Sequence, residues 1–138
     1  GRSDNRVSSA FAYDAAAGRE LVLKSDGSQI RSYCYMLDCA TAILKVALKG
    51  KTATAYNVSN PQSIMSIREM AAMFARYGNV PLRFELPTGA EKAAFNPMSN
   101  SSLNSDRLQE LGWRGAYGPD KGIEHTVRIL REALLGEE

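Results

Sequence analysis

The stretch Asp26-Gly27-Ser28-Gln29-Ile30-Arg31-Ser32-Tyr33-Cys34-Tyr35-Met36-Leu37-Asp38 decides how the rest of this chain is read. Asp26-Gly27 is a tight-turn signal, because glycine accepts the positive φ that other residues resist. Ile30, Tyr33 and Tyr35 then predict a short extended segment, and Asp38 reads as the N-cap of the apolar run that follows. Arg31 is thereby placed on a short, stiff piece of backbone beside aromatic rings. That is how a guanidinium fork is presented to a phosphate or carboxylate. The alternative for Arg31 is an ion pair with a structural carboxylate.

Upstream, Val7, Ala10 and Phe11 recur at helical spacing within Arg6–Ala17, and Gly18 is the expected stop. Leu21-Val22-Leu23 reads as a short strand. Downstream, Ala40, Ile43, Leu44, Ala47 and Leu48 mark one helix face, with Lys45 and Lys49 on the wet side and Gly50 closing the helix. Ala55-Tyr56-Asn57-Val58 is β-prone and is followed by a Ser59-Asn60-Pro61 breaker. Its Asn57 amide must be hydrogen-bonded or else presented at a strand end to a ligand.

Ser66-Ile67-Arg68-Glu69 matches a capping box, and Ile67, Met70, Ala71 and Phe74 continue it as a helix, with Met70 and Met73 as core residues. Leu82–Leu86 alternates apolar and charged residues and predicts a half-exposed strand. Residues 87–102 form a long irregular segment, a length usually reserved for function or disorder. Within it Glu91 and Lys92 are the charges best able to face a ligand, although a solvated loop lysine is the plainer reading of Lys92. Leu103–Leu111 predicts another helix, ended by Gly112 and a Trp113 that needs a pocket. Gly118-Pro119-Asp120 introduces a last helix with Ile123, Val127, Leu130 and Leu134 as its apolar stripe. Helices alternating with short strands place the chain in the α/β class.

At 138 residues, with 44% hydrophobic and 23% charged residues, the chain has the composition of one ordinary globular domain. A net charge of +2, with its cations scattered, argues against a nucleic-acid footprint. No apolar run is long enough to cross a bilayer and no signal-peptide pattern opens the chain, so a cytoplasmic location is expected. Cys34 and Cys39 flank Asp38 with no histidine near them, which fits small buried residues better than a disulfide or zinc site. The one histidine, His125, reads as a solvated helix residue. Glycine-rich phosphate loops, nucleophile elbows and metal-ligand spacings are missing.

The order of these features resembles the C-terminal part of the extended short-chain dehydrogenase/reductase family, the NAD-dependent nucleotide-sugar epimerases and dehydratases. Four motifs carry the resemblance, which covers nearly the whole chain: the turn and Gln-x-Arg of residues 26–35 leading to Asp38, Ala-Tyr-Asn-Val at 55–58, Ser-Ile-Arg-Glu at 66–69, and Leu-Gly-Trp at 111–113. It implies a C-terminal fragment of an extended Rossmann-type enzyme. Residues 1–138 would form the substrate-binding region together with the last helix and strand, about 38–58, of the dinucleotide-binding sheet.

The resemblance also implies roles. Arg31 would hold the diphosphate of a nucleoside-diphosphate sugar, with Asn57 as a second polar contact. Val22 and Lys24 fall where the family sets strand backbone and an often aromatic side chain against the nucleobase, so Lys24 departs from the pattern. Arg6 matches a position near the nucleotide, and Lys92 is the counterpart of a second phosphate-binding cation. The family's glycine-rich NAD loop and catalytic Tyr-x-x-x-Lys lie upstream of this chain, and no tyrosine here has a lysine four residues on. NAD is therefore expected in the parent protein, with neither cofactor nor activity in this segment alone. Self-association through an uncovered helix face is expected too. Two alternatives are a stand-alone, non-catalytic α/β binding module with a complete core, and a reductase of the same superfamily acting on a small carbonyl compound.

Overall fold

The computed structural model describes residues 4, 6–89 and 98–136. The chain divides into two compact units, one of residues 1–29, 66–99 and 123–138, the other of residues 30–65 and 100–122.

In the first unit, helix α1 (Val7–Ala16) buries Phe11, Ala12, Ala15 and Ala16, and ends before Gly18 at φ +70°. Strand β1 (Leu21–Leu23) follows and pairs in parallel with the later strand β4 (Leu82–Phe84), with Val22 in register with Arg83. Helix α3 (Ile67–Gly78) starts at the expected capping box: the Ser66 hydroxyl accepts from the Glu69 amide, and the Glu69 carboxylate accepts from the Ser66 amide. The bonds that Ser66 donates hold the Glu69 carboxyl below the usual carboxylate range. Met70, Ala71, Phe74 and Ala75 are the buried stripe, and α1 packs chiefly on it.

The Asp26-Gly27 turn is as expected, with Gly27 at φ +69° and a side-chain carbon there landing 2.9 Å from the Arg68 amide nitrogen. Arg131 donates to the Ala15, Ala16 and Gly78 carbonyls, so one guanidinium serves the C-terminal ends of both α1 and α3. It comes from the last helix, α5 (Pro119–Leu135), whose Val127 is buried.

The second unit holds strand β2 (Ile30–Ser32), helix α2 (Met36–Lys49), strand β3 (Ile64–Ser66), strand β5 (Asn100–Ser101) and the short helix α4 (Asp106–Glu110). The sheet order is β3-β2-β5, with β2 and β5 parallel. Here four expectations are corrected. Asp38 is not the N-cap of α2. Tyr35 occupies that position without a side-chain cap, and Asp38 sits in the first helical turn.

The apolar face read on α2 is uncovered within the unit, in line with the uncovered helix face expected of a fragment. Ile43, Leu44 and Leu48 are 64%, 61% and 77% exposed, while the helix buries Asp38 and Ala42, the latter against Leu108 and Trp113. Lys45 accordingly lies half-buried beside the Trp113 groove rather than on the wet side. Residues 55–58 form no strand, because none of the described residues pairs with their backbone as a ladder; Arg107 and the segment's own turn reach them instead. The helix expected at 103–111 begins only at Asp106, since the Asn104 side chain accepts from the Asp106 amide at 2.8 Å and holds the chain in a turn up to that point.

Trp113 finds its pocket: it is buried, and its indole N–H donates to Thr41 Oγ1 at 3.1 Å. Of the irregular segment, residues 90–97 lie outside the described residues, and Asn100–Ser101 forms β5. No helix is long and apolar enough to cross a membrane among the described residues.

One buried group is left without a partner. The Ser59 hydroxyl, on a residue 0% exposed, makes no hydrogen bond among the described residues. Ser59→Ala is therefore expected to leave stability unchanged or raise it by up to about 1 kcal/mol in urea unfolding, since alanine needs no partner. A loss of more than about 1 kcal/mol would show that the hydroxyl is satisfied after all.

Candidate functional site

Arg31 projects from β2 into a half-buried position, with Nη1 donating to its own Ile30 carbonyl at 2.8 Å. No carboxylate pairs with it among the described residues, so the structural ion pair that competed for Arg31 has no partner there. Its charge reaches Tyr33, two residues along the chain, whose phenol is raised by burial against the lowering effect of Arg31. That phenol is therefore a neutral donor at physiological pH.

Asn57 is exposed and its amide donates to the Asn104 carbonyl at 2.8 Å. This contact ties the loop after β5 to the segment preceding Ser59. Beside it, the Leu103 amide donates to the Ser32 hydroxyl at 2.7 Å. The first unit carries the other expected contacts. Val22 is half-buried on β1 and Lys24 is exposed just after it. Arg6, at the N-cap of α1, pairs with Asp4 and holds its carboxyl well below the usual range. Lys92 lies outside the described residues.

The cysteines are poor nucleophile candidates. Both are half-buried free thiols, and burial, then the adjoining Cys39 thiol, push Cys34 up to about 12.

Sequence reasoning missed a buried polar clamp. Asp38, 2% exposed, accepts the Ala116 amide at 2.9 Å on Oδ1 and the Tyr117 amide at 3.1 Å on Oδ2. Asn60 donates to the Tyr117 carbonyl at 3.0 Å and accepts from the Gln62 amide, capping the turn at Pro61–Ser63. Gly115 leaves just enough room, because a side-chain carbon there would fall 2.4 Å from Asn60 Nδ2. Tyr117 also stacks on Tyr35 with ring centroids 4.6 Å apart. The only local signal was the pairing of Asp38 and Asn60 with a Gly-Ala-Tyr-Gly turn far along the chain, which no periodicity exposes.

The sequence pattern described as the NAD dependent epimerase/dehydratase family matches residues 1–59. Over those residues the chain is similar to the NAD-dependent epimerases and dehydratases. The dTDP-glucose 4,6-dehydratase of Xanthomonas campestris pv. campestris is 28% identical over 121 residues, an alignment covering 82% of this chain and 34% of that protein. A trifunctional UDP-glucose 4,6-dehydratase/UDP-4-keto-6-deoxy-D-glucose 3,5-epimerase/UDP-4-keto-L-rhamnose-reductase of Arabidopsis thaliana is also 28% identical, over 116 residues covering 82% of this chain and 16% of that one. Among solved structures, the UDP-glucose 4-epimerase of Thermotoga maritima, crystallised with UDP-glucose, superposes with a TM-score of 0.76 at 20% identity. It covers 94% of this chain and 40% of its own. The epimerase/dehydratase fold is thus shared along almost the whole chain, which spans at most about a third of the length of these curated relatives.

Proposed function

We propose that this chain is the nucleotide-sugar-binding part of a longer NAD-dependent epimerase/dehydratase, acting on a nucleoside-diphosphate sugar with catalytic residues that lie outside these 138 residues. The observation that carries the reading is Arg31: a half-buried guanidinium on a sheet strand with no carboxylate partner among the described residues. Such a group is stable where an anion of matching geometry completes it, and a phosphoryl oxygen pair does so.

NAD itself does not fit the described residues. The turns from β2 into α2 and from β3 into α3 hold Tyr33–Tyr35 and Ser66 with no glycine, so neither lets backbone approach a pyrophosphate as a dinucleotide loop does. Hydride transfer therefore belongs to the rest of the parent protein, and the segment alone is read as inactive. The exposed stripe of α2 supports membership in a larger structure that includes residues 38–58, and it favours self-association of the isolated chain. It counts against a stand-alone module, which would cover that face. Val22, Lys24, Arg6, Asn57 and Lys92 keep the nucleotide contacts that the family resemblance suggests, and a cytoplasmic setting suits the chemistry.

Calorimetric titration of the protein carrying this chain with UDP-, dTDP- and GDP-sugars tests the reading. Arg31→Ala is expected to weaken the best of them by about 30-fold, the value of a charge-assisted phosphate contact. Affinities unchanged for all three would remove Arg31 from the site.

A further inference from the structure

Cys34 and Cys39 stand at the two positions that a hydrophobic staple brings together. Tyr35 is the N-cap of α2, so Cys34 precedes the cap and Cys39 is the fourth residue of the helix. Side chains at these positions pack on each other across the first turn and fix the angle at which the chain enters the helix. Here both are free, half-buried thiols. The Cys39 amide donates to the Tyr35 carbonyl at 2.9 Å, closing that turn, and the Cys39 thiol donates to the Cys34 carbonyl at 3.8 Å.

The two thiols also act on each other: after burial, a hydrogen bond with Cys39 and then the charge of Cys39 are what raise Cys34. On its other side Cys34 packs against the cluster of Ala42, Leu108 and Trp113. Among the described residues no group of three His, Cys, Asp or Glu side chains could hold a metal ion, so metal binding does not account for the pair.

We propose that Cys34 and Cys39 are a redox modification site, a dithiol that a low-molecular-weight disulfide oxidises to an intramolecular disulfide, turning the staple of α2 into a covalent one. The Cys39 sulfur gives up its proton, attacks one sulfur of the small disulfide and expels a small thiolate, which leaves a mixed disulfide on Cys39. The Cys34 sulfur then gives up its proton, attacks Cys39 Sγ and expels the second small thiolate. Two electrons and two protons thus pass from the pair to the oxidant, which departs as two thiols. Cys34 reacts second because burial, above all, holds its thiol protonated, pushed up to about 12. Capping Cys39 removes the hydrogen bond and the charge by which that residue raises Cys34, while the Asn60 amide still favours the Cys34 thiolate. The entering step is slow, and the closing step gains from proximity. The bond would span the Asp38 turn, adding a covalent lock to the clamp that Asp38 makes with Ala116 and Tyr117. It stands independently of the reading of Arg31.

The test is to equilibrate the protein carrying this chain with oxidised glutathione, quench in acid, digest without reduction and weigh the peptide that contains both cysteines. The wild-type peptide is expected to lose the mass of two hydrogens and to regain it with dithiothreitol. Cys34→Ser is expected to stop with one glutathione on Cys39, for want of a second thiol, and Cys39→Ser to stay unmodified. The oxidised wild type is expected to melt about 5 °C above the reduced form, because the bond restricts the unfolded chain. A wild-type peptide that stays reduced, ends as a glutathione adduct or is linked to another cysteine of the protein overturns the proposal. So does an oxidised form that melts at or below the reduced one, since the bond would then strain the turn instead of locking it. Glutathione on Cys34 in the Cys39→Ser variant overturns the order of attack. The wild-type readings need no variant, so they decide the matter even where a serine variant fails to fold.

Discussion

Asp38→Ala is expected to lower folding stability by about 3 kcal/mol in urea unfolding, the largest effect of any single substitution in the second unit. The carboxylate is buried and accepts two backbone amides, from Ala116 and Tyr117. Hydrogen bonds to a charged group contribute about 1.5–3 kcal/mol each, and truncation leaves both amides without their acceptor. The aspartate also sits in the first turn of α2, where the exposed amide ends of the helix favour a negative charge. Asp38→Asn separates these contributions. It keeps the shape and one acceptor but turns an NH2 group toward an amide, so it is expected to lose about half as much. A loss below about 1 kcal/mol for alanine would mean that the two amides find water at no cost, and the clamp would not be what fixes residues 115–117.

Gly78→Ala is expected to cost about 3 kcal/mol, measured the same way, with the melting transition moving down to match. The added carbon would lie 2.8 Å from Ala15 Cβ and 2.9 Å from both Ala15 Cα and the Ala15 carbonyl. Two of those atoms are backbone, so no side-chain rotation relieves the contact and α1 must move away from α3. The Arg131 guanidinium that bonds the Ala15, Ala16 and Gly78 carbonyls would lose its shared grip in the same movement. The compensating change Ala15→Gly restores part of the room, so the double variant is expected to recover a measurable share of the loss. If Gly78→Ala is neutral, the close crossing of the two helices is not a constraint.

The helices were legible because their signals are local. Val7–Ala16 and Ile67–Gly78 declare themselves through apolar spacing and, at Ser66–Glu69, through a capping box whose two halves lie three residues apart. The short strand Leu21–Leu23 and the turn at Gly27 were equally plain. Apart from the 103–111 helix, which the local Asn104–Asp106 turn shortens, what failed depended on partners distant in sequence. Asp38 looked like a cap because aspartate before an apolar run usually is one, and the amides that hold it arrive 78 and 79 residues later. Residues 55–58 have strand composition without a ladder, and composition cannot supply the neighbour that a strand requires. The stripe Ile43, Leu44 and Leu48 was correctly read as one apolar face, but periodicity does not say what covers it. For the candidate site, the motif singled out Arg31, and the structure adds that no carboxylate pairs with it among the described residues.

The Asp38 clamp also bears on the order in which the molecule is made. The second unit is encoded in two instalments, residues 30–65 and 100–122, separated by 34 residues that belong to the first. A ribosome adding about 5–20 residues per second leaves α2 for on the order of 4 to 16 s before Ala116 and Tyr117 emerge to meet the Asp38 carboxylate. During that interval the first turn of α2 has no anchor and its apolar stripe has no local cover, while α1, β1 and α3 can already pack as each leaves the exit tunnel. The first unit can begin to pack early, but its last helix and Arg131 arrive after Ala116 and Tyr117, and translation speed between Met65 and Asn100 governs how long the second waits.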